Sequence, residues 1–154
     1  MLIIRSNLAV TYSQLGRSDE ALSNFREVYA GEKSLFGNSH NLTLMAANNL
    51  VHELQRQKKH AEAVTILREP LSEARRAFGD DHDMTLMLGS LLADSLVSAG
   101  TSPTVDDLRE AIAMREDICK RSRRLLGGSH PTTQIRQRAL DHARRILALV
   151  LSEG

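Results

Sequence analysis

The chain has 154 residues, of which 42% are hydrophobic and 25% charged, with a formal net charge of +1. That length bounds a single domain able to bury its own core without disulfides or a structural metal. The near-neutral balance supplies no overall field towards nucleic acid or an anionic membrane. Cys119 is the single cysteine, which excludes an internal disulfide and fits a reducing compartment. Aromatics are 3% with no Trp, and there are only 9 Gly and 3 Pro, a composition that favours helices over strands. No apolar run reaches the ~18 residues of a membrane span. The apolar start, Met1 to Ile4, meets Arg5 at once and is too short for a signal-peptide core. The expected location is the cytoplasm, with no membrane partner.

In chain order, Leu8, Tyr12 and Leu15 recur at i, i+4 and i+7, which predicts a helix over 3–15. Ala21, Phe25 and Val28 predict a second over 19–36. The pattern then repeats. Leu8 to Tyr12 lies 42 residues before Leu50 to Leu54 and 84 before Leu92 to Leu96. Phe36-Gly37 matches Phe78-Gly79, His40 matches His82, and Thr43 matches Thr85 at the same step. The second half of the third unit (Glu110-Ala111-Ile112, Leu126-Gly127, His130, Thr133) is 48 residues on, so six extra residues fall near Gly100 to Thr104. Such self-similarity marks a repeat architecture. Further helices are expected over 41–57, 61–78, 83–99, 105–126 and 131–151. The units span about 1–40, 41–82 and 83–130, within one domain over 1–154.

The turns carry their own signals. Gly37, Gly79 and Gly127 stand where helices end. Ser39, Asp81 and Ser129 stand before the next helix and are the expected N-caps. Pro131 suits a first turn, and Thr104 with Asp107 resembles a capping box. His40, His82 and His130 hold equivalent positions. Stacked units are ~10 Å apart, whereas zinc needs nitrogens ~2 Å from one centre. They are read as local turn residues that cap or pack, with the following threonines turned into the same turn, and no metal or other cofactor is expected.

Ala9, Tyr12, Gly16 and Ala21 together resemble the tetratricopeptide repeat. The 42-residue period closed by Phe/Leu-Gly-x-x-His-x-x-Thr is similar to the longer variety in kinesin light chains and nephrocystin-like proteins. The resemblance covers essentially the whole chain. It implies an all-α, right-handed superhelix of three helix pairs with a C-terminal capping helix, and a protein-binding role without catalysis. Four positions depart from the pattern: Lys58 for Gly16, Leu54 for Tyr12, Arg115 for Phe25 and Leu67, and Pro70 for Val28. Proline inside a helix predicts a kink between Ile66 and Pro70.

The resemblance also implies that the first helix of each pair lines a concave groove. Register then projects Ile3, Ser6, Asn7, Val10, Ser13 and Gln14 from the first unit. The second gives Met45, Asn48, Asn49, His52, Gln55 and Arg56. The third gives Met87, Ser90, Leu91, Asp94, Val97 and Ser98, and the last helix Ile135, Arg138, His142 and Arg145. The amides of Asn48, Asn49 and Gln55 suit a peptide backbone. Arg56, Arg138 and Arg145 suit carboxylates. Ser6 and Val10 stand where the chaperone-binding variety has its carboxylate clamp, so that variety is not expected. By resemblance to kinesin light chains, a short acidic peptide with an apolar anchor is the expected partner.

The alternatives are a structural segment of a longer array and, less favoured, nucleic acid on the basic C-terminal helices. Before Ile118 there are 12 basic and 17 acidic side chains; from there on, 8 and 2. Yet base-stacking aromatics are nearly absent. No catalytic signature is present. Cys119, beside Lys120 and Arg121, is read as a structural thiol. Gly127-Gly128-Ser129 lacks the Lys of a phosphate loop. No closing motif precedes the first helix, and Leu2, Ile3 and Ile4 give it no polar outer face. Either the chain is a piece of a longer array, or another molecule covers that end, self-association included.

Overall fold

The computed structural model describes residues 1–98 and 103–153. Among the described residues there are seven α-helices: α1 (Leu2–Gln14), α2 (Ser18–Phe36), α3 (Asn41–Arg56), α4 (His60–Phe78), α5 (Asp83–Val97), α6 (Val105–Leu126) and α7 (Pro131–Glu153). The expected ends fall within two residues of these. Ala99, where the fifth helix was expected to finish, and the Gly100–Ser102 part of the insertion lie outside the described residues. Each helix packs on its neighbour in sequence, and α3 also touches α5. This is the nearest-neighbour stacking of a repeat solenoid. Its core is a continuous seam of Leu44, Leu50, Leu54, Leu67, Leu88, Leu96 and Leu108, each at most 1% exposed. Burying one leucine in this way contributes roughly 1.5–3 kcal/mol.

The inter-unit turn shows why its motif has that form. Gly37, Gly79 and Gly127 sit at φ 84–88° with ψ between 159° and 174°. That region is essentially closed to any residue with a Cβ. The caps that follow are not Ser39, Asp81 and Ser129. The N–H groups of Leu42, Met84 and Thr132 instead donate to Nδ1 of His40, His82 and His130, at 3.3, 3.1 and 3.2 Å. Phe36 stacks on His40 and Phe78 on His82, with ring centroids 4.7 Å apart in both turns. The aromatic holds the imidazole over the helix entrance, and a ring nitrogen replaces the usual hydroxyl or carboxylate. Thr85 donates to the carbonyl of Gly79 at 2.7 Å and Thr133 to that of Ser122 at 3.4 Å, closing the same turns. The Thr104–Asp107 capping box forms as the sequence predicts.

Within the first two units, the loop between paired helices needs a left-handed residue. Gly16 supplies it at φ 74°, and Lys58 occupies the matching place at φ 58°. The backbone bonds Lys58 N–H to Gln55 and Lys59 N–H to Leu54, 2.9 and 2.8 Å, hold it there. A side chain in this conformation costs roughly 1 kcal/mol. Lys58→Gly is therefore expected to stabilise the chain by about 0.5–1 kcal/mol, read as a higher urea midpoint at unchanged m-value. A lower midpoint would show that the lysine contributes more than its strain. Pro70 is buried inside α4, which runs from His60 to Phe78 as one assigned helix.

Candidate functional site

The projected groove residues divide into three groups. Leu91 and Val97 are 6% and 8% exposed and belong to the core, which corrects their assignment to the groove. They fail because α5 is buried on more of its circumference than the other first helices, being apolar along most of its length. Asn7, Val10, Gln14, His52, Arg56 and Asp94 are exposed, as are Ile135, Arg138, His142 and Arg145 on α7; Asn48, Asn49 and Gln55 are half-buried.

One cluster forms a built pocket. Val10, Ser13 and Gln14 of α1 face Asn49, His52 and Arg56 of α3 over a floor made by Phe25, enclosing about 230 Å³. Phe25 is 5% exposed, and Val10 is 40% exposed. The pocket is thus apolar at its base and polar at its rim. The rim is braced by Glu53, a 2% exposed side chain. Its carboxylate accepts from Ser13 Oγ at 2.7 Å, from Arg56 Nε and Nη2 at 3.1 and 3.0 Å, and from Gln57 Nε2 at 3.0 Å. Burial alone pushes this carboxyl up, but the hydrogen bonds from Arg56, Gln57 and Ser13 outweigh it and hold it below its ordinary range. Arg56 also reaches Ser18 Oγ at 2.8 Å. Its charge is therefore partly spent inside the protein.

The middle of the groove is closed. Gln55 Nε2 donates to the carbonyl of Leu91 at 3.2 Å and to Ser95 Oγ at 2.9 Å, tying α3 to α5. Asn48 donates to Asn49 at 3.4 Å, and its own amide oxygen is buried without a partner.

A second, smaller cavity of about 90 Å³ lies between α5, α6 and α7, lined by Ser90, Asp94, Ile118, Ile135, Arg136 and Ala139, with Arg115. Arg115 replaces the apolar residue of the other units at this position. It stays buried because Nη2 pairs with Asp94 at 2.6 Å and Nη1 donates to the carbonyl of Ala139. Loss of surrounding water lowers the Arg115 pKa and raises that of Asp94, although the Asp94 side chain is still 52% exposed, and each shift is partly offset by the partner. Asp94 is therefore already engaged by Arg115.

The basic C-terminal region is partly neutralised from within. Arg121 pairs with Asp117 and Asp81, 2.7 and 2.8 Å, and its pKa is raised by those hydrogen bonds. Arg124 also pairs with Asp81, and Arg144 with Glu116 at 2.6 Å. Arg138 opens instead onto the cleft between α6 and α7, beside Arg123 and Gln134. Cys119 is 3% exposed, and its pKa is raised by burial, which keeps the thiol protonated and inert. Among the described residues, no three His, Cys, Asp or Glu side chains are grouped to hold a metal ion, and no helix is long and apolar enough to cross a membrane.

Sequence reasoning read Phe25 as a core position, noted Arg115 only as a departure from the repeat, and did not single out Glu53. Phe25 has the helical spacing of a core residue, and nothing local marks it as a pocket floor. The one available signal was Arg115, a cation at a position that is apolar in the other two units.

Paired helices stacked in register, with glycine-stopped turns, define a helical repeat solenoid of the tetratricopeptide class. Residues 1–70 match the tetratricopeptide repeat family. The fold of the chain is that of kinesin-light-chain-type repeats. A crystal structure from Podosopora anserina, described as kinesin light chain nearly identical TPR-like repeats, superposes with a TM-score of 0.83 at 21% identity, covering 98% of this chain and 69% of that one. A crystal structure of a point variant of those repeats gives 0.84 at 20% identity, covering 98% and 68%. BtubC (BKLC) from P. vanneervenii gives 0.71 at 19% identity, covering 97% and 64%, so the chain spans somewhat under two thirds of that structure. No curated protein matches the sequence. Repeats of this fold generally mediate protein–protein interaction and are typically non-enzymatic scaffolds.

Proposed function

We propose that the chain is a non-catalytic protein-binding module whose concave face takes an extended segment of a partner, with an apolar side chain seated over Phe25. The observation that carries this reading is the pocket between α1 and α3, apolar at its floor and ringed by Ser13, Asn49 and His52, which can donate to or accept from a peptide backbone. Acidic residues of the partner would lie towards α7. There Arg138 and Arg145 are exposed, and among the described residues Arg145 is engaged only by the carbonyl of Asp141 at 3.3 Å. Arginine forks suit carboxylates, and such charge-assisted bonds are roughly twice as strong as neutral ones. Affinity should be modest, because ordering an extended peptide offsets much of the contact energy.

The test is a peptide array that varies the anchor residue and the flanking charge independently, followed by salt titration of the hits. Acidic peptides with a large apolar residue should bind best and weaken with salt. Val10→Arg should fill the pocket and abolish all hits. Arg138→Glu with Arg145→Glu should remove only the preference for acidic flanks. If basic peptides bind equally well, or if the double variant behaves as wild type, the acidic preference is wrong. If Val10→Arg binds unchanged, the groove reading gives way to that of a structural segment in a longer array.

A further inference from the structure

The second helices of successive units face each other across a cleft, with a first helix packed beneath: α3 under α2 and α4, α5 under α4 and α6. The same ion pair bridges both clefts. Arg26 meets Glu62 at 2.5 Å across the first, and Arg68 meets Glu110 at 2.9 Å across the second. The clefts are therefore equivalent, yet they are filled differently. In the first, Tyr29 packs on the core. Lys33 stands with its Nζ 5.9 Å over that ring and pairs with Glu69 of α4 at 2.6 Å.

One period on, Leu71 takes the place of Tyr29 and Arg75 that of Lys33. Leu71 packs inward, towards Gly89 of α5, where a Cβ would stand 3.8 Å from its Cδ1. Outside it a cavity of about 270 Å³ remains. That is below the ~300–1,000 Å³ of sites for drug-sized ligands and suits one large side chain. Its floor is apolar: Leu71 and Leu92 are each 3% exposed, with the soft sulfur of Met114 beside them. Its rim is charged. Arg68 spends both amino groups on Glu110, at 2.9 and 3.1 Å. Arg75 does not have the cross-unit partner of Lys33, because the matching carboxylate, Asp117, is taken by Arg121 at 2.7 Å. It meets Asp80 at 3.4 Å instead and is 50% exposed. An apolar floor under a mobile cation is the setting of an aromatic ring.

We propose that this cleft, on the face formed by the second helices and away from the groove, seats a tyrosine side chain of a partner protein. The ring lies over Leu92 and Met114 with Arg75 closing on it, as Lys33 closes on Tyr29, and the hydroxyl meets the charged rim. The site stands independently of the groove reading. A second copy of these repeats does not supply the ring. Of the two Tyr and three Phe, Phe25 and Tyr29 pack in the core, Phe36 and Phe78 stack on His40 and His82, and Tyr12 lies under Arg17.

The probes are the blocked tripeptides Ac-Gly-Tyr-Gly-NH2 and Ac-Gly-Leu-Gly-NH2, with p-cresol as the free phenol. Each is titrated into the full chain carrying labelled Leu and Met methyl groups and followed by NMR. The tyrosine peptide should shift the Leu92 and Met114 methyls saturably and leave Leu50, the matching floor residue of the first cleft, unmoved. The leucine peptide should bind about fivefold or more weakly, and Arg75→Ala should weaken the tyrosine peptide about threefold. Leu71→Tyr supplies the ring from within and should abolish the shifts. Ser72→Trp, at an exposed rim position, blocks the cleft without touching the core and should do the same. Urea midpoints near that of wild type establish that the variants are folded, and Ser72→Trp carries the test if Leu71→Tyr is not. Absence of shifts, shifts that survive Ser72→Trp, or equal binding of the leucine peptide overturns the proposal. Binding of p-cresol without the tyrosine peptide does so too, and assigns the cleft to a free phenol.

Discussion

Replacing Glu53 with leucine is expected to lower stability by about 2 kcal/mol and the melting temperature by about 5 °C. The carboxylate is 2% exposed and accepts from Ser13, Arg56 and Gln57, side chains on or just after α1 and α3. Leucine fills the space but leaves Ser13 and Gln57 without their acceptor, while Arg56, 44% exposed, returns to water. That solvent access keeps the loss at the low end of what breaking a buried charge pair costs. The pH dependence follows from the direction of the Glu53 shift, which is downward in the folded chain. A depressed carboxyl contributes stability that is present above its unfolded value of about 4.3 and is lost as pH falls through the folded value. The difference between wild type and Glu53→Leu should therefore be constant from about pH 6 to 8 and shrink below about pH 4. Urea midpoints over that range measure it. A difference that persists unchanged at about pH 3 would mean the side chain acts through packing and not through charge. The variant should also weaken anchor binding, because Ser13 and Arg56 form the pocket rim that Glu53 braces.

Pro70→Ala is expected to act in the opposite direction, stabilising the chain by about 1 kcal/mol. The ring removes one helical hydrogen bond and crowds the carbonyl of Ile66, a cost of roughly 3 kcal/mol in a helix interior. Alanine recovers that term but gives up buried methylenes worth about 0.8 kcal/mol each. The repeat supplies the comparison: Val28 and Ile118 occupy the matching positions and are 4% and 6% exposed. Pro70→Val, which keeps the volume, should therefore gain more than Pro70→Ala. Thermal melts of the two variants test both the sign and the order. A fall in melting temperature for both would show that the path of α4 against α5 requires proline.

The seven helices were legible because the apolar positions recur at helical spacing, and because one turn, Phe/Leu-Gly-x-x-His, is written three times. Within that turn the oxygen caps expected at Ser39, Asp81 and Ser129 do not form, while His40, His82 and His130, expected to cap or pack locally, do cap. Ser39, Asp81 and Ser129 have the usual capping chemistry, whereas the preference for His40, His82 and His130 depends on a ring stacked in space, as with Phe36 and Phe78. The groove was legible only as a list of helix faces. The sequence assigns Asn48, Asn49 and Gln55 one chemistry, yet Gln55 bonds α5, Asn48 bonds its neighbour, and only Asn49 reaches the pocket. Period and composition by themselves determine which residues form helices and where the chain turns, since both depend on neighbours three to seven residues away. Tertiary structure decided what each polar side chain does: whether Arg56 faces a ligand or Glu53, and whether Arg115 is solvated or buried against Asp94. Those outcomes depend on how helices distant in sequence come to lie against one another, and such pairings carry no period along the chain.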